Sequence, residues 1–291
     1  MALPVGEPGW FSEMKVDGWR LAVHVPAGVL QSRRGTDLTA RFPEVLAGAR
    51  ELGSVVLDGE LVAYGPSGRL EFASLNYGAR RRAAEGVRLI YVAFDLLAYR
   101  GRDLRDRAYR DRRARLETIL GPRSGGTVQL MTATDDPERA VSWISAEQAA
   151  VGVEGCVAKP LTSRYPTRSG RAGWIKVRYF EDTDAVVLGV LGSAERPTAL
   201  VLCQAADNGT VHAVGLSTTW SRKTLATSAG RLRPLPGTRR AAGIVGGLPG
   251  GADFEYTPVT AGVVVEVRAD SAREWGRFRH RVSVTRTKAP D

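Results

Sequence analysis

The sequence predicts an α+β chain in two parts, antiparallel sheets with helices over residues 1–180 and a small antiparallel β-barrel over residues 181–291. Three observations predict it. The length of 291 residues exceeds what one hydrophobic core ordinarily organises. Up to residue 180, segments that alternate apolar and polar side chains are interleaved with segments of helical spacing. Beyond EDTDA (Glu181–Ala185), short strand-like runs at hairpin spacing predominate.

Composition narrows the class. With 43% hydrophobic and 25% charged residues the chain reads as a soluble globular protein, and its net charge of +10 favours a polyanionic partner, nucleic acid before membrane. The start, MALPVGEPGWF, lacks a basic region followed by an apolar run, and no segment has the apolar length of a membrane span, so a cytoplasmic location is expected. Two cysteines without CxxC spacing and three histidines argue against a disulfide framework or a zinc site. Positive charge is spelled almost wholly as arginine: of 41 basic residues five are lysine, at 15, 159, 176, 223 and 288. A position that keeps lysine calls for a compact point charge or a neutralisable amine, which guanidinium cannot supply.

Taken in order, EMKVDGWR (Glu13–Arg20) sets Lys15 beside a carboxylate, a glycine and an arginine. Among cationic neighbours in a partly dry pocket such a lysine becomes a nucleophile; the alternative is a solvated strand corner. LAVHV, a PAG turn and VLQS predict a hairpin, with His24 on its surface. SRRGTD (Ser32–Asp37) is a polar turn whose arginines are placed to fork onto a phosphate. Phe42, Val45, Leu46 and Ala49 then recur at helical spacing, and Gly53 stops the helix.

VVLDGELVAY (Val55–Tyr64) predicts a strand carrying Asp58 and Glu60 on one face, where buried carboxylates need a cation, a sugar hydroxyl or a metal. A short helix is expected around Phe72 and Leu75, then a central strand over VRLIYVAFDLLAY, in which Phe94 is either core or a ring on which a base stacks. From Arg100 to Leu120 a helix with a stripe of Tyr109, Leu116 and Ile119 carries arginines and aspartates that read as a solvated, mutually paired face, without indication of a DNA-facing role.

GVEGCVAKP (Gly152–Pro160) predicts a strand in which Glu154 and Lys159 lie on opposite faces unless a bulge at Gly155 brings them together. Residues 161–173 read as an exposed loop. In GWIKVRYF, Lys176 and Arg178 share one strand face and form a phosphate-sized positive strip.

In order and spacing, KVDGWR, SRRGTD, LDGE, FDLL, EGCVAK and WIKVR resemble the nucleotidyltransferase motifs of ATP-dependent DNA ligases, over residues 13–180 and most closely those of compact bacterial ligases, including end-joining ligase domains. The resemblance implies an ATP-grasp-like nucleotidyltransferase domain in which Lys15 accepts AMP and Glu13 contacts the adenine amino group. It further implies that Phe94 stacks on adenine, Arg20 and Glu60 hold the ribose side, and Arg33 reaches phosphate. Glu154, with Glu60, would bind the catalytic Mg²⁺, for which Mn²⁺ can substitute, and Lys176 and Arg178 would hold the α-phosphate. Lys159 fits as a phosphate or pocket contact. Arg178 stands where the family usually has a second lysine.

In the second part AVVLGVLG, ALVLCQA, TVHAVGLS with a DNG turn (Asp207–Gly209), GVVVEVRAD and RVSVTRTK predict the barrel, and its length fits an OB-fold. The resemblance agrees, with a hinge at 178–184. The stretch 234–251, with IVGGLPGG, lacks the Lys-Ser or Lys-Thr of a P-loop and reads as a loop or barrel connection. Arg273, Arg277, Arg279, Arg281, Arg286 and Lys288 crowd the C-terminus as a nucleic-acid or triphosphate face, although RTK (Arg286–Lys288) lacks the Asp of the family's terminal motif.

With 14 residues before Lys15, clamping of DNA is expected from these two domains or from partners. The expected activity is ATP-dependent sealing of nicked double-stranded DNA by a monomer, with end-joining or repair proteins as partners. The alternatives are an RNA ligase, a capping-like guanylyltransferase, or a catalytically silent DNA-binding adaptor.

Overall fold

The computed structural model describes residues 3–4, 9–122, 125–166, 173–205, 211–219, 231–243, 251–274 and 276–288. They fall into two compact units, Met1–Tyr179 and Phe180–Asp291.

The first unit is mixed α/β with largely antiparallel sheets. Its strands are β1 (Trp10–Val16), β2 (Trp19–His24), β3 (Val29–Ser32), β4 (Val55–Tyr64), β5 (Arg88–Tyr99), β6 (Arg102–Asp103), β7 (Val128–Leu130), β8 (Ala133–Thr134), β9 (Val153–Pro160) and β10 (Ile175–Arg178). Its helices are α1 (Pro43–Arg50), α2 (Ala79–Ala84), α3 (Tyr109–Leu120), α4 (Pro137–Ser142) and α5 (Ala146–Ala150). One sheet has the order β10-β9-β1-β8, and the other runs β3-β2-β4-β5-β6 with β7 parallel to β5. The chain passes from the first sheet to the second at Asp17–Gly18. A side chain cannot be carried there, because a Cβ on Gly18 would lie 2.3 Å from the Leu61 carbonyl oxygen.

Apolar alternation sets the core of the larger sheet. Leu21 and Val23 of β2, Leu57 and Leu61 of β4 and Tyr91 and Ala93 of β5 are buried against Phe42, Val45, Leu46 and Ala49 of the α1 segment and Leu116 and Leu120 of α3. Each such large side chain contributes roughly 1.5–3 kcal/mol on burial. The expected hairpin and α1 are present, and Gly53, with φ of 77°, closes α1 through a hydrogen bond from its N–H to the Arg50 carbonyl. The short helix expected near Phe72 divides into a 3₁₀ turn, Phe72–Asn76, and α2.

Helix α3 departs from expectation. Arg112 is fully buried, its guanidinium bonded to both carboxylate oxygens of Asp95 at 2.7 and 2.9 Å, and Arg113 is buried as well. The solvated, paired face is therefore confined to other positions. Helical periodicity gives the direction of a side chain but not what waits there, and a buried aspartate on β5 converts a surface-type arginine into a core one.

The second unit holds β11 (Phe180–Gly192), β12 (Pro197–Ala205), β13 (Val211–Leu216), β14 (Arg239–Gly243), β15 (Gly251–Pro258), β16 (Val264–Asp270), β17 (Arg273–Glu274), β18 (Arg277–Phe278) and β19 (Ser283–Thr287). The main order is β13-β12-β11-β15-β14, and β16 joins β11 to β19. Strand β11 pairs with β16 over its first half and with β12 and β15 over its second. Strand β14 lies within the stretch read as a loop, because Arg-Arg-Ala-Ala-Gly has no apolar alternation to reveal it. The DNG turn and residues 244–250 of IVGGLPGG lie outside the described residues. Both cysteines are buried. Among the described residues no helix is long and apolar enough to cross a membrane.

Candidate functional site

The four-stranded sheet brings the chemistry together. On β1, Lys15 stands opposite Gly155 of β9, and the register slips by one residue between Lys15 and Val16, so that Glu154 bulges out of the ladder. Gly155 has a φ of 144°, and a Cβ there would lie 2.2 Å from the Val177 carbonyl oxygen. Only glycine lets β10 pair so closely with the bulged strand. The bulge aims the buried Glu154 carboxylate at Lys15 Nζ, with which it forms an ion pair, while Arg178 Nε of β10 approaches the same carboxylate at 3.8 Å. The bulge expected at Gly155 thus exists, but it joins Glu154 to Lys15 rather than to Lys159.

Lys15, 18% exposed, opens into a cavity lined by Glu13, Met14, Val16, Arg20, Glu60, Phe94, Met131, Val157, Lys159, Trp174 and Lys176. Glu13, two residues before Lys15 on β1, lies beneath it. Its carboxylate is 2% exposed and accepts from Lys159 Nζ at 2.6 Å and from the Tyr109 hydroxyl, with Arg113 at 3.5 Å. Lys159 is 1% exposed, and its ammonium lies 4.3, 4.6 and 4.9 Å from the ring centroids of Trp174, Phe94 and Tyr109. Its charge is engaged with Glu13 and these aromatic faces. The Tyr109 hydroxyl is held above the ordinary tyrosine range, first by burial and then by the Glu13 charge.

The opposite wall comes from the larger sheet. Arg20 of β2 donates to Asp58 of β4 with Nε at 3.1 Å and Nη2 at 2.7 Å, and the Tyr165 hydroxyl donates to the same carboxylate at 2.7 Å. Burial works against the Arg20 charge, yet the Asp58 bonds and charge outweigh it and raise the guanidinium's pKa. So anchored, Arg20 lies 5.5 Å from the Phe94 centroid and 5.9 Å from that of Trp174. Glu60 shares the cavity, and its carboxyl is pushed up to about 8, chiefly by burial and further by Asp17 and Asp58, against the pull of Lys15 and Arg20. Lys176 is lowered from the usual lysine value by burial and by the charges of Arg20, Lys15 and Arg33.

Of the residues singled out in the sequence, Lys15, Glu13, Arg20, Glu60, Phe94, Lys159 and Lys176 line one cavity, and Glu154 and Arg178 meet at its Lys15 edge. Arg33 does not line it; it sits on the exposed turn after β3, where its charge still reaches Lys176. Tyr165, read as part of an exposed loop, is instead fixed to Asp58; Arg168 and Arg171 lie outside the described residues. Of the C-terminal cations, Lys288 pairs with Asp184, Arg286 with Glu266 and Arg273 with Glu181, inside the second unit. Sequence reasoning missed Trp174, Tyr165 and Arg113. Two aromatics flanking a polar stretch between β9 and β10 were the available signal for the first two.

Among the described residues no group of three or more carboxylate, histidine or cysteine side chains is placed to cage a metal ion. Glu154 and Glu60 beside a phosphate-sized positive strip suit an ion such as Mg²⁺, which takes one or two carboxylates and fills its shell with water and substrate oxygens.

The family model for the ATP dependent DNA ligase domain matches residues 3–178. A probable DNA ligase of Kineococcus radiotolerans is 38% identical over 233 residues, covering 77% of this chain and 45% of its own. DNA ligase C1 of Mycolicibacterium smegmatis is 30% identical over 302 residues, covering 97% of this chain and 85% of its own. The crystal structure of the ligase domain from M. tuberculosis LigD superposes with a TM-score of 0.52 at 28% identity, over 96% of this chain and 89% of that one. The chain spans 24% and 45% of the length of the first two curated relatives it matches.

Proposed function

The chain belongs to the family of ATP-dependent DNA ligase domains, and from that premise we propose that it seals nicks in duplex DNA through a covalent lysine–AMP intermediate. Residues 1–180 are the adenylating domain and residues 181–291 an OB-fold domain. The observation that carries the reading is the Lys15–Glu154 pair at the mouth of a cavity that also holds the rings of Phe94 and Trp174, the cations Arg20, Lys159 and Lys176, and the carboxyl groups of Glu13 and Glu60.

Lys15 must first lose its proton, and Glu154 is the carboxylate positioned to take it. Nζ then attacks the α-phosphorus of ATP, and the bond to the bridging oxygen breaks with pyrophosphate carrying away the electron pair. Lys176 and Arg178 offset the charge that develops on the α-phosphate, and Arg33 reaches a neighbouring phosphate from its turn. Phe94 stacks on the purine, Glu13 faces its amino group, and Arg20, locked by Asp58, meets the ribose side with Glu60. Glu154 and Glu60 would hold Mg²⁺, which when bound supplies charge neutralisation at the phosphates. AMP next passes to the 5′-phosphate at the nick, and the 3′-hydroxyl displaces it. The change of partners along β11 in the second unit, from β16 to β12 and β15, supports the barrel assignment. The naming of a 34% identical Pseudomonas aeruginosa relative, LigD, as a non-homologous end joining protein supports repair of breaks, with end-joining proteins as partners.

The test is incubation with α-labelled ATP or GTP and Mg²⁺ followed by mapping of the adduct. An AMP adduct on Lys15, absent from Lys15→Ala and reduced by at least about 100-fold in Glu154→Gln, is expected. A protein that takes no label from ATP, or keeps it after Lys15→Ala, overturns the reading. Sealing of a nicked duplex compared with joining of single-stranded RNA separates DNA ligation from RNA ligation.

A further inference from the structure

A second concave surface lies away from the nucleotide cavity and shares no lining residue with it. It is bounded by Tyr99, Arg100 and Arg102 of the β5–β6 hairpin, by Leu104 and Arg107, and by Asp111, Arg112 and Arg115 of α3. Residues 100–115 contain eight arginines and three aspartates, so half of the chain's net charge of +10 originates in sixteen residues.

Two features set this surface apart from an ordinary solvated face. Several exposed arginines are matched to carboxylates, as in Arg81–Glu85, Arg105–Asp103, Arg268–Asp182 and Arg286–Glu266, whereas four that are not are gathered on this one surface. Arg100, Arg102, Arg107 and Arg115 have no carboxylate partner among the described residues. Second, Tyr99 pairs with Arg102, which leaves Arg100 and Gly101 as a two-residue hairpin loop with φ of 49° and 75°. Two positive φ angles are the requirement of a type I′ turn, whose first position favours Asn or Gly. An arginine there carries backbone strain. That strained position sets the Arg100 guanidinium 5.2 Å from the Tyr99 ring centroid, with Arg115 at 5.6 Å from the same ring. Both forks are thereby held by one aromatic ring before any ligand arrives, and the entropy lost on binding is reduced.

We propose that this arginine groove binds the phosphodiester backbone of duplex DNA flanking the join. Planar guanidinium forks match phosphate oxygens. The groove offers Leu104 and a ring already occupied by guanidiniums, and so lacks the apolar anchor that a protein partner's central contacts need. Tyr99 follows Phe94 by five residues on β5, roughly 16 Å along the strand, which is about five base-pair steps of duplex. DNA held at Lys15 therefore has the length to reach it. The inference rests on the reading of the chain as a DNA-joining enzyme.

The experiment measures affinity for a nicked duplex against salt concentration, using the whole protein and Arg100→Ala/Arg102→Ala/Arg115→Ala. Loss of three phosphate contacts lowers the slope of log affinity against log salt by about 2.7, while formation of the Lys15–AMP adduct stays at the starting rate. Arg100→Asn gives the independent arm: it relieves the turn and raises Tm, yet lowers the salt slope by about 0.9. An unchanged slope in the triple variant, or a slope in Arg100→Asn equal to that of the unaltered protein, overturns the proposal. Failure of the unaltered protein to form the adduct would instead count against the ligase reading.

Discussion

Replacing Lys159 by methionine tests whether the floor of the cavity is an electrostatic assembly rather than a packed surface. Methionine keeps much of the length of the side chain and deletes its charge. In the parent, Lys159 and Glu13 lie 2.6 Å apart with side chains 1% and 3% exposed. Breaking a buried pair from one side costs about 3–5 kcal/mol, because the surviving charge is stranded. Glu13 retains the Tyr109 hydroxyl and Arg113 at 3.5 Å, which reduces the expected loss to roughly 2–3 kcal/mol. Urea unfolding followed by tryptophan fluorescence reads this as a lower midpoint at constant slope. The double variant Glu13→Gln/Lys159→Met removes the stranded charge and recovers part of the loss, with a coupling of roughly 1–3 kcal/mol. A cost below about 1 kcal/mol for Lys159→Met, or strict additivity in the cycle, would show that the pair does not hold the floor together.

Two further outcomes follow from the geometry. The folded protein keeps a proton on Glu60 up to about pH 8, whereas the unfolded chain releases it near the ordinary value of 4.5; stability therefore declines as pH rises through that window, and Glu60→Gln flattens the decline in thermal melts recorded from pH 4 to 9. Gly155→Ala forces a Cβ to within 2.2 Å of the Val177 carbonyl at a φ of 144°, so it costs upwards of about 2 kcal/mol and abolishes adenylation by displacing Glu154 and Arg178; a variant with full Tm and full adduct yield would refute the role given to the bulge.

Much of the first unit was legible because strand alternation and helix spacing are local. Leu21 and Val23, Leu57 and Leu61, and Phe42 through Ala49 announce their faces within a few residues, and six ordered motifs marked the cavity. What stayed hidden were partnerships set by tertiary proximity. Nothing near Arg112 tells that Asp95 lies beneath it, nor does the setting of Tyr165 reveal Asp58. Glu154 and Lys159 were expected on opposite faces unless a bulge joined them, and the sequence around them does not show that each is claimed by a residue of β1, Lys15 and Glu13 respectively. Strand β14 escaped notice because its pairing with β15 needs no apolar alternation of its own.

The order β10-β9-β1-β8 also bears on when the protein becomes competent during folding. Lys15 and Glu154 are 139 positions apart, and the whole of the larger sheet is threaded between them. Hairpins such as β2–β3 can form early and locally, whereas the β9–β1 ladder requires one of the longest loop closures in the unit and pays its entropy late. On the proposed function, a chain emerging from synthesis would carry Lys15 from the outset but have no Glu154 beside it until β9 docks on β1, so adenylation would await completion of this sheet.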